Sequence, residues 1–210
     1  LTADRMQRKA ERLLDAVADT PKVCPHFELP VQAGSDAILK AMRRGYTAGE
    51  YEALVARIRE RVPDAAIHTD IIVGFPGESA AQFEETMDLF RRVRFDKAHI
   101  AKYSPRPQTL AARKMKDDVD ADEKERRRVA LDDLQREILT EKMAALEGQT
   151  VEVLVDGRDE KRHRWRGRTP QDKLVFFQGK GGLLGQLSAV HIDRASPYSL
   201  VGTSCAGDTL

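Results

Sequence analysis

The chain is poor in the residue that builds disulfide frameworks and metal clusters. Its two cysteines, Cys24 and Cys205, lie far apart in 210 residues. They form neither a C-x-x-C pair nor a set of bridges, and Cys24 is expected to pack as a small apolar residue in a strand. Long hydrophobic runs are also missing: none approaches the roughly 18 residues of a membrane span. The start has no signal-peptide core, so no membrane partner is expected and the cytoplasm is the default compartment. Charge of one sign is not in excess, since the formal net charge is +1, and any basic surface must be local. There is no internal repeat and no low-complexity tract. What remains is a chain with 41% hydrophobic residues, enough for one domain of ordinary size and a small one.

The first hundred residues alternate helical and strand periods, the signature of β-α-β units and a parallel sheet. Met6, Ala10, Leu13, Leu14 and Val17 make a helical stripe, followed by "VCPHFELPV" as a strand. Thr47 with Glu50 forms a capping box ahead of Tyr51, Leu54, Val55, Ile58 and Val62, and "AAIHTDIIVGF" follows as the second strand. Ser79 with Gln82 repeats the signal ahead of Phe83, Met87 and Phe90, and "FDKAHIAKYS" is the third strand. Three parallel strands are a poor stopping point, because such a sheet is normally extended or closed, so the chain reads as part of something larger. From Asp117 to Glu147 a charged helix is expected, with Leu131, Leu134, Ile138 and Met143 as its apolar stripe and Gly148 as its stop. Its segment from Glu123 to Arg128 is expected to be a solvated face. Beyond it, "TVEVLVDG", "RHRWRGRT", "KLVFFQGK" and "GQLSAVHIDRA" read as the short strands of a small β-barrel.

In parallel α/β folds ligands bind beyond the carboxyl ends of the strands, which singles out three turns. In "PVQAGSD", Gln32 ends a strand, and Gly34 with Ser35 opens a helix that could receive an anion or simply be capped by Ser35. In "HTDIIVGFPGES", alternation puts Asp70, Ile72 and Gly74 on one face. A carboxylate at that place needs a donor, either ligand hydroxyls or a neighbouring Arg in a structural network. Gly74 leaves room for a flat group against the backbone. In "KYSPRPQT", Lys102 and Arg106 are available to phosphate or carboxylate, unless the two prolines make it only a rigid loop. A local basic stretch, "RDEKRHRWRGR", has six Arg or Lys against two acids. Cations interleaved with His163 and Trp165 suit phosphates and an unpaired base, or they are a solvated hairpin. Of the adjacent Phe176 and Phe177, one is expected inside the barrel and one outside.

Read in order, "LPVQAGSDAILKAMRRGYT", "TDIIVGFPGE", "FDKAHIAKYSPRP" and "GRTPQDKLVFF" resemble the downstream half of the MiaB-like tRNA methylthiotransferases, radical S-adenosylmethionine enzymes, from Leu1 to Ser204. The resemblance implies an α/β fold: three strands of a partial (β/α) barrel over 1–112, a helical connector over 113–147 and a TRAM domain, a small all-β, OB-like RNA-binding barrel, over 148–205. It implies an S-adenosylmethionine pocket of Gln32, Ser35, Arg44, Asp70, Gly74 and Tyr103. There Asp70 would face the ribose hydroxyls, Arg44 the cofactor's carboxylate, and Gly74 and Tyr103 the adenine. An RNA surface of Lys102, Arg106, Lys161, Arg162, Arg164, Trp165, Arg166 and Arg168 would meet a tRNA anticodon stem-loop. The implied reaction adds a methylthio group to C2 of an isopentenyl-type modified adenosine beside the anticodon by radical chemistry. The family's two 4Fe–4S clusters need cysteine sets that this chain lacks, so none is expected to be ligated here and an amino-terminal half of the same protein is the expected partner. Two other readings stay open: a ribosomal-protein methylthiotransferase, whose third loop usually carries acids, and a non-catalytic RNA-binding module. Arg43 and Gln108 stand where the family usually has Asn and Gly, and Ala33 where it has Ser or His.

Overall fold

The computed structural model describes residues 3–205, with side chains from residue 11 onward. The described residues divide into two compact units, one of residues 27–63 and 67–138, the other of residues 3–26, 64–66 and 139–205. In chain order the first elements are α1 (Ala3–Asp19), β1 (His26–Glu28), α2 (Asp36–Ala41), α3 (Ala48–Arg61), β2 (Ala66–Val73), α4 (Ala80–Val93), β3 (Lys97–Lys102) and α5 (Leu110–Lys114). They lead into α6 (Ala121–Ala144) and the strands β4 (Thr150–Asp159), β5 (Arg164–Arg168), β6 (Leu174–Gln178), β7 (Leu187–Ser196) and β8 (Ser199–Ser204).

The first sheet has the order β1-β2-β3, with β2 and β3 parallel. Both capping boxes form as expected: Thr47 Oγ1 accepts from Glu50 N, and Ser79 Oγ accepts from Gln82 N. Each satisfies two of the orphan N–H groups at a helix start. Between the helices and the sheet, Val55, Ile58, Ile67, Ile71, Leu89, Phe90 and Phe95 are buried, with the Phe90 and Phe95 rings edge to face at 4.9 Å. Gly34 lies where α4 passes closest: its N–H donates to Thr86 Oγ1 at 2.9 Å, and a Cβ there would come within 2.5 Å of the Thr86 Cα. Only glycine fits such an approach.

Several expectations are corrected. The first strand is three residues long rather than nine, because Leu29 to Val31 leave the ladder for single bonds such as Leu29 N to His68 O at 2.9 Å. On α1, Leu14 is buried but Leu13 is 61% exposed, and Met6 and Ala10 fall outside the described side chains. Cys24 precedes the strand and is exposed. The charged segment of α6 is no solvated face: Lys124 and Arg127 are each 6% exposed. α6 ends at Ala144, and Gly148 already donates to Ile192 O at 2.9 Å.

The second unit holds a closed barrel in the order β4-β5-β6-β8-β7, in which β6 and β8 run parallel and the other pairs antiparallel. Its core comprises Met143, Val153, Val155, Trp165, Val175, Phe177, Val190, Ile192 and Leu200. Four strands were readable in the sequence; the fifth, β8, was not, because "SLVGTS" is short and polar at both ends.

Candidate functional site

A cleft of about 530 Å³ opens at the carboxyl ends of β2 and β3. Along β2 the buried residues Ile71 and Val73 alternate with the half-buried Asp70 and Ile72, which line the cleft. The Asp70 carboxylate makes no hydrogen bond or ion pair with any described residue. Of the two donors considered for it, then, the structural Arg is absent and the hollow is present.

Gln32 sits beside Asp70 by a single bridge: its N–H donates to Asp70 O at 2.9 Å and its carbonyl accepts from Ile72 N at 3.0 Å. Its φ is +77°, a left-handed conformation that costs a non-glycine residue about 1–2 kcal/mol. The two backbone bonds hold that conformation, which turns the Gln32 side chain to the cleft. Arg44 lines the same cleft, exposed at its rim and without an ion pair among the described residues. Nearby, burial raises the Tyr46 hydroxyl's pKa against the opposing charge of Arg44, and that hydroxyl donates to Pro30 O at 2.9 Å. Tyr103 closes one wall: its N–H donates to Val73 O at 2.8 Å, and its ring meets Phe75 edge to face at 5.1 Å.

Two of the expected cofactor residues are elsewhere. Ser35 caps α2 without a side-chain bond and lines a separate hollow with Asp36 and Gln82. Gly74, with φ +70°, has its open face filled by Lys124, whose Cγ would stand 2.3 Å from a Cβ, so no flat ligand can lie there. Instead Gly74 N donates to Glu78 Oε2 at 2.6 Å, and Arg127 Nη1 donates to the same oxygen at 2.7 Å. Burial pushes the Glu78 carboxyl upward in pKa, opposed by those two donors. His99 is a titratable cleft residue that the sequence reading passed over. It is the register partner of Asp70 on β3, a placement that aligning "TDIIVG" with "AHIAKY" would have found. Lys102 and Arg106 both line the cleft, but Lys102 Nζ is paired with Glu125 at 2.8 Å.

The barrel's basic stretch is sorted by its partners. Trp165 is corrected as a stacking platform: it is 9% exposed, its Nε1 donates to Gly179 O at 3.2 Å, and Arg158 covers it at 5.1 Å. Arg164 pairs with Asp159 at 3.0 Å and lies 4.0 Å from the centre of the Phe176 ring. That bond lowers the Asp159 pKa. Arg166 pairs with Asp156 and Arg168 with Asp172, each at 2.8 Å. Lys161 and Arg162, on the 3-10 turn Glu160–Arg162, are exposed and have no ion pair among the described residues. As expected, Phe177 is inside and Phe176 outside the core.

Sequence comparison agrees with both halves of this architecture. Residues 2–90 match the radical SAM superfamily and residues 144–204 the TRAM domain. Fold and matches together define a radical SAM segment joined to a TRAM domain. The chain is 50% identical to a tRNA-2-methylthio-N(6)-dimethylallyladenosine synthase of Chloroflexus aurantiacus over 203 residues, 95% of this chain and 43% of that protein. Synthases of the same name from Dehalococcoides mccartyi and Geobacillus kaustophilus are 48% and 47% identical, over 91% of this chain and 45% and 36% of their own lengths. The chain is thus MiaB-like, with the two domains of that family's carboxyl-terminal half, and spans less than half the length of these relatives. Among the described residues no helix is long and apolar enough to cross a membrane.

Proposed function

We propose that the cleft binds the nucleoside of S-adenosylmethionine, and that the chain is part of a tRNA methylthiotransferase acting on an isopentenyl-type modified adenosine. The observation that carries this is the half-buried Asp70 carboxylate, turned to a hollow and left without a donor among the described residues. A cis-diol supplies two O–H donors to one carboxylate, and bonds to a charged acceptor contribute about 1.5–3 kcal/mol. Arg44 at the rim suits the amino-acid carboxylate, for which its planar fork is matched, and the Tyr103 ring offers an apolar wall for the base. The bound cofactor would supply radical-generating chemistry; this chain's residues bind and orient it. An iron–sulfur cluster does not fit the donors present, since the three-cysteine set such a cluster needs is missing and the sequence has only Cys24 and Cys205, far apart. The cluster ligands would come from outside this chain.

Binding of S-adenosylhomocysteine to the 210-residue chain by isothermal titration tests the reading. Asp70→Ala is expected to weaken it by about tenfold or more, the equivalent of ~1.4 kcal/mol. Unchanged affinity would remove the cleft assignment.

For the barrel, the TRAM match and the exposed pair Lys161 and Arg162 support binding to an RNA stem-loop such as that of the tRNA anticodon. Arg106 on the cleft rim favours a phosphate-bearing substrate over the ribosomal-protein alternative.

A further inference from the structure

We propose that Lys124 is a positioning residue for the cleft: its stem, laid over Gly74, and its ammonium, set against the Tyr103 ring, fix the wall on which a bound nucleoside rests. The inference rests on the nucleoside reading and deepens it. Lysine is seldom buried, because its ammonium is strongly hydrated, yet Lys124 is 6% exposed. Its Cγ, Cδ and Cε would stand 2.3, 3.1 and 3.1 Å from a Cβ on Gly74, so the stem occupies the place of a side chain there. Its Nζ reaches Asp117 at 2.5 Å and lies 5.3 Å from the centre of the Tyr103 ring. Gly74 follows the last residue of β2 and Tyr103 the last residue of β3, so one side chain spans the ends of both strands that make the cleft.

The turn after β2 is clasped by the same stretch of chain. Arg127 donates to Glu78 Oε2, which also accepts from Gly74 N, and Gly77 N donates to Asp118 Oδ1 at 2.7 Å. With that turn immobilised, the freedom left to the wall is the tilt of the Tyr103 ring. The ammonium limits that tilt by attraction to the ring face, and Phe75 limits it from the edge. Lys124 does not line the cleft itself, so it acts through Tyr103.

The test is a double-mutant cycle on the 210-residue chain, read as the Kd for S-adenosylhomocysteine. Lys124→Met keeps the stem and removes the charge, and is expected to weaken binding about three- to tenfold, as loss of a partly desolvated cation–π contact would. In the Tyr103→Leu background the same change is expected to have less than about a twofold effect, since no ring remains to be held. Asp117→Asn, at a more accessible position, frees the ammonium without removing it, and is expected to weaken binding in the same direction if Lys124→Met proves poorly folded. An equal effect of Lys124→Met in both backgrounds, or none, with the wild-type chain binding normally, overturns the proposal alone. A wild-type chain that does not bind the probe overturns the nucleoside reading and this inference with it.

Discussion

Arg43 and Gln108 are two of six non-glycine residues, among those described, whose backbone conformation suits other residue types better. Arg43 has φ +58° and Gln108 φ +73°, in a region where asparagine is tolerated and glycine is at ease. Arg43→Asn and Gln108→Gly are each expected to raise stability by about 0.5–1 kcal/mol, net of the added freedom of the unfolded chain, measurable as a shift in urea midpoint. The same scale shows what a sequence conceals. Asp70 was legible because a charge beside an apolar strand is anomalous whatever the tertiary structure. Gly74 was not: its empty Cβ position signals a close approach, but whether by a ligand or by Lys124 depends on a residue fifty positions away. Trp165 misled in the opposite sense, since an aromatic among arginines looks like a stacking site until the strand's parity puts it in the barrel.

Among the elements, α6 departs furthest from its reading. Its buried residues Lys124, Arg127, Leu131, Gln135 and Ile138 follow steps of three and four, one continuous face of a helix. The periodicity was in the sequence, but a stripe traced through apolar residues alone stops at Leu131. Removing one partner of a buried ion pair leaves the other uncompensated, so Arg127→Leu is expected to cost about 3–5 kcal/mol in urea unfolding. Glu125 permits a pH test of the same helix. Its carboxyl is lowered from 4.5 to about 2, first by hydrogen bonds from Arg128 and Lys102. A carboxyl depressed in the folded state adds stability above its unfolded pKa and loses it as pH falls toward the folded one. The stability difference between the wild type and Glu125→Gln is therefore expected to be level well above pH 4.5, to shrink as the pH falls below that value, and to be lost only once the pH passes below about 2. The effect is small and sensitive to salt, because the pair is exposed. The helices with capping boxes, by contrast, were readable to the residue, since a local pair of side chains determines each start.

For the whole molecule, the division into a parallel sheet and a small barrel could be read from the switch in hydrophobic period, whereas barrel closure could not, because it depends on β8 pairing in parallel with β6 past the intervening β7. Lys161→Ala with Arg162→Ala is expected to weaken stem-loop binding several-fold and to lower its salt dependence by about two charges, measured by fluorescence anisotropy across a salt series. An unchanged slope would move the RNA surface elsewhere. The parallel pairing of β8 beside β6 carries one more consequence. Because the strand that seals the ring follows the ring's other four in chain order, a growing polypeptide would display two raw sheet margins until β8 emerges. Recruitment of a chaperone, or mispairing between neighbouring nascent chains, would be concentrated in that interval.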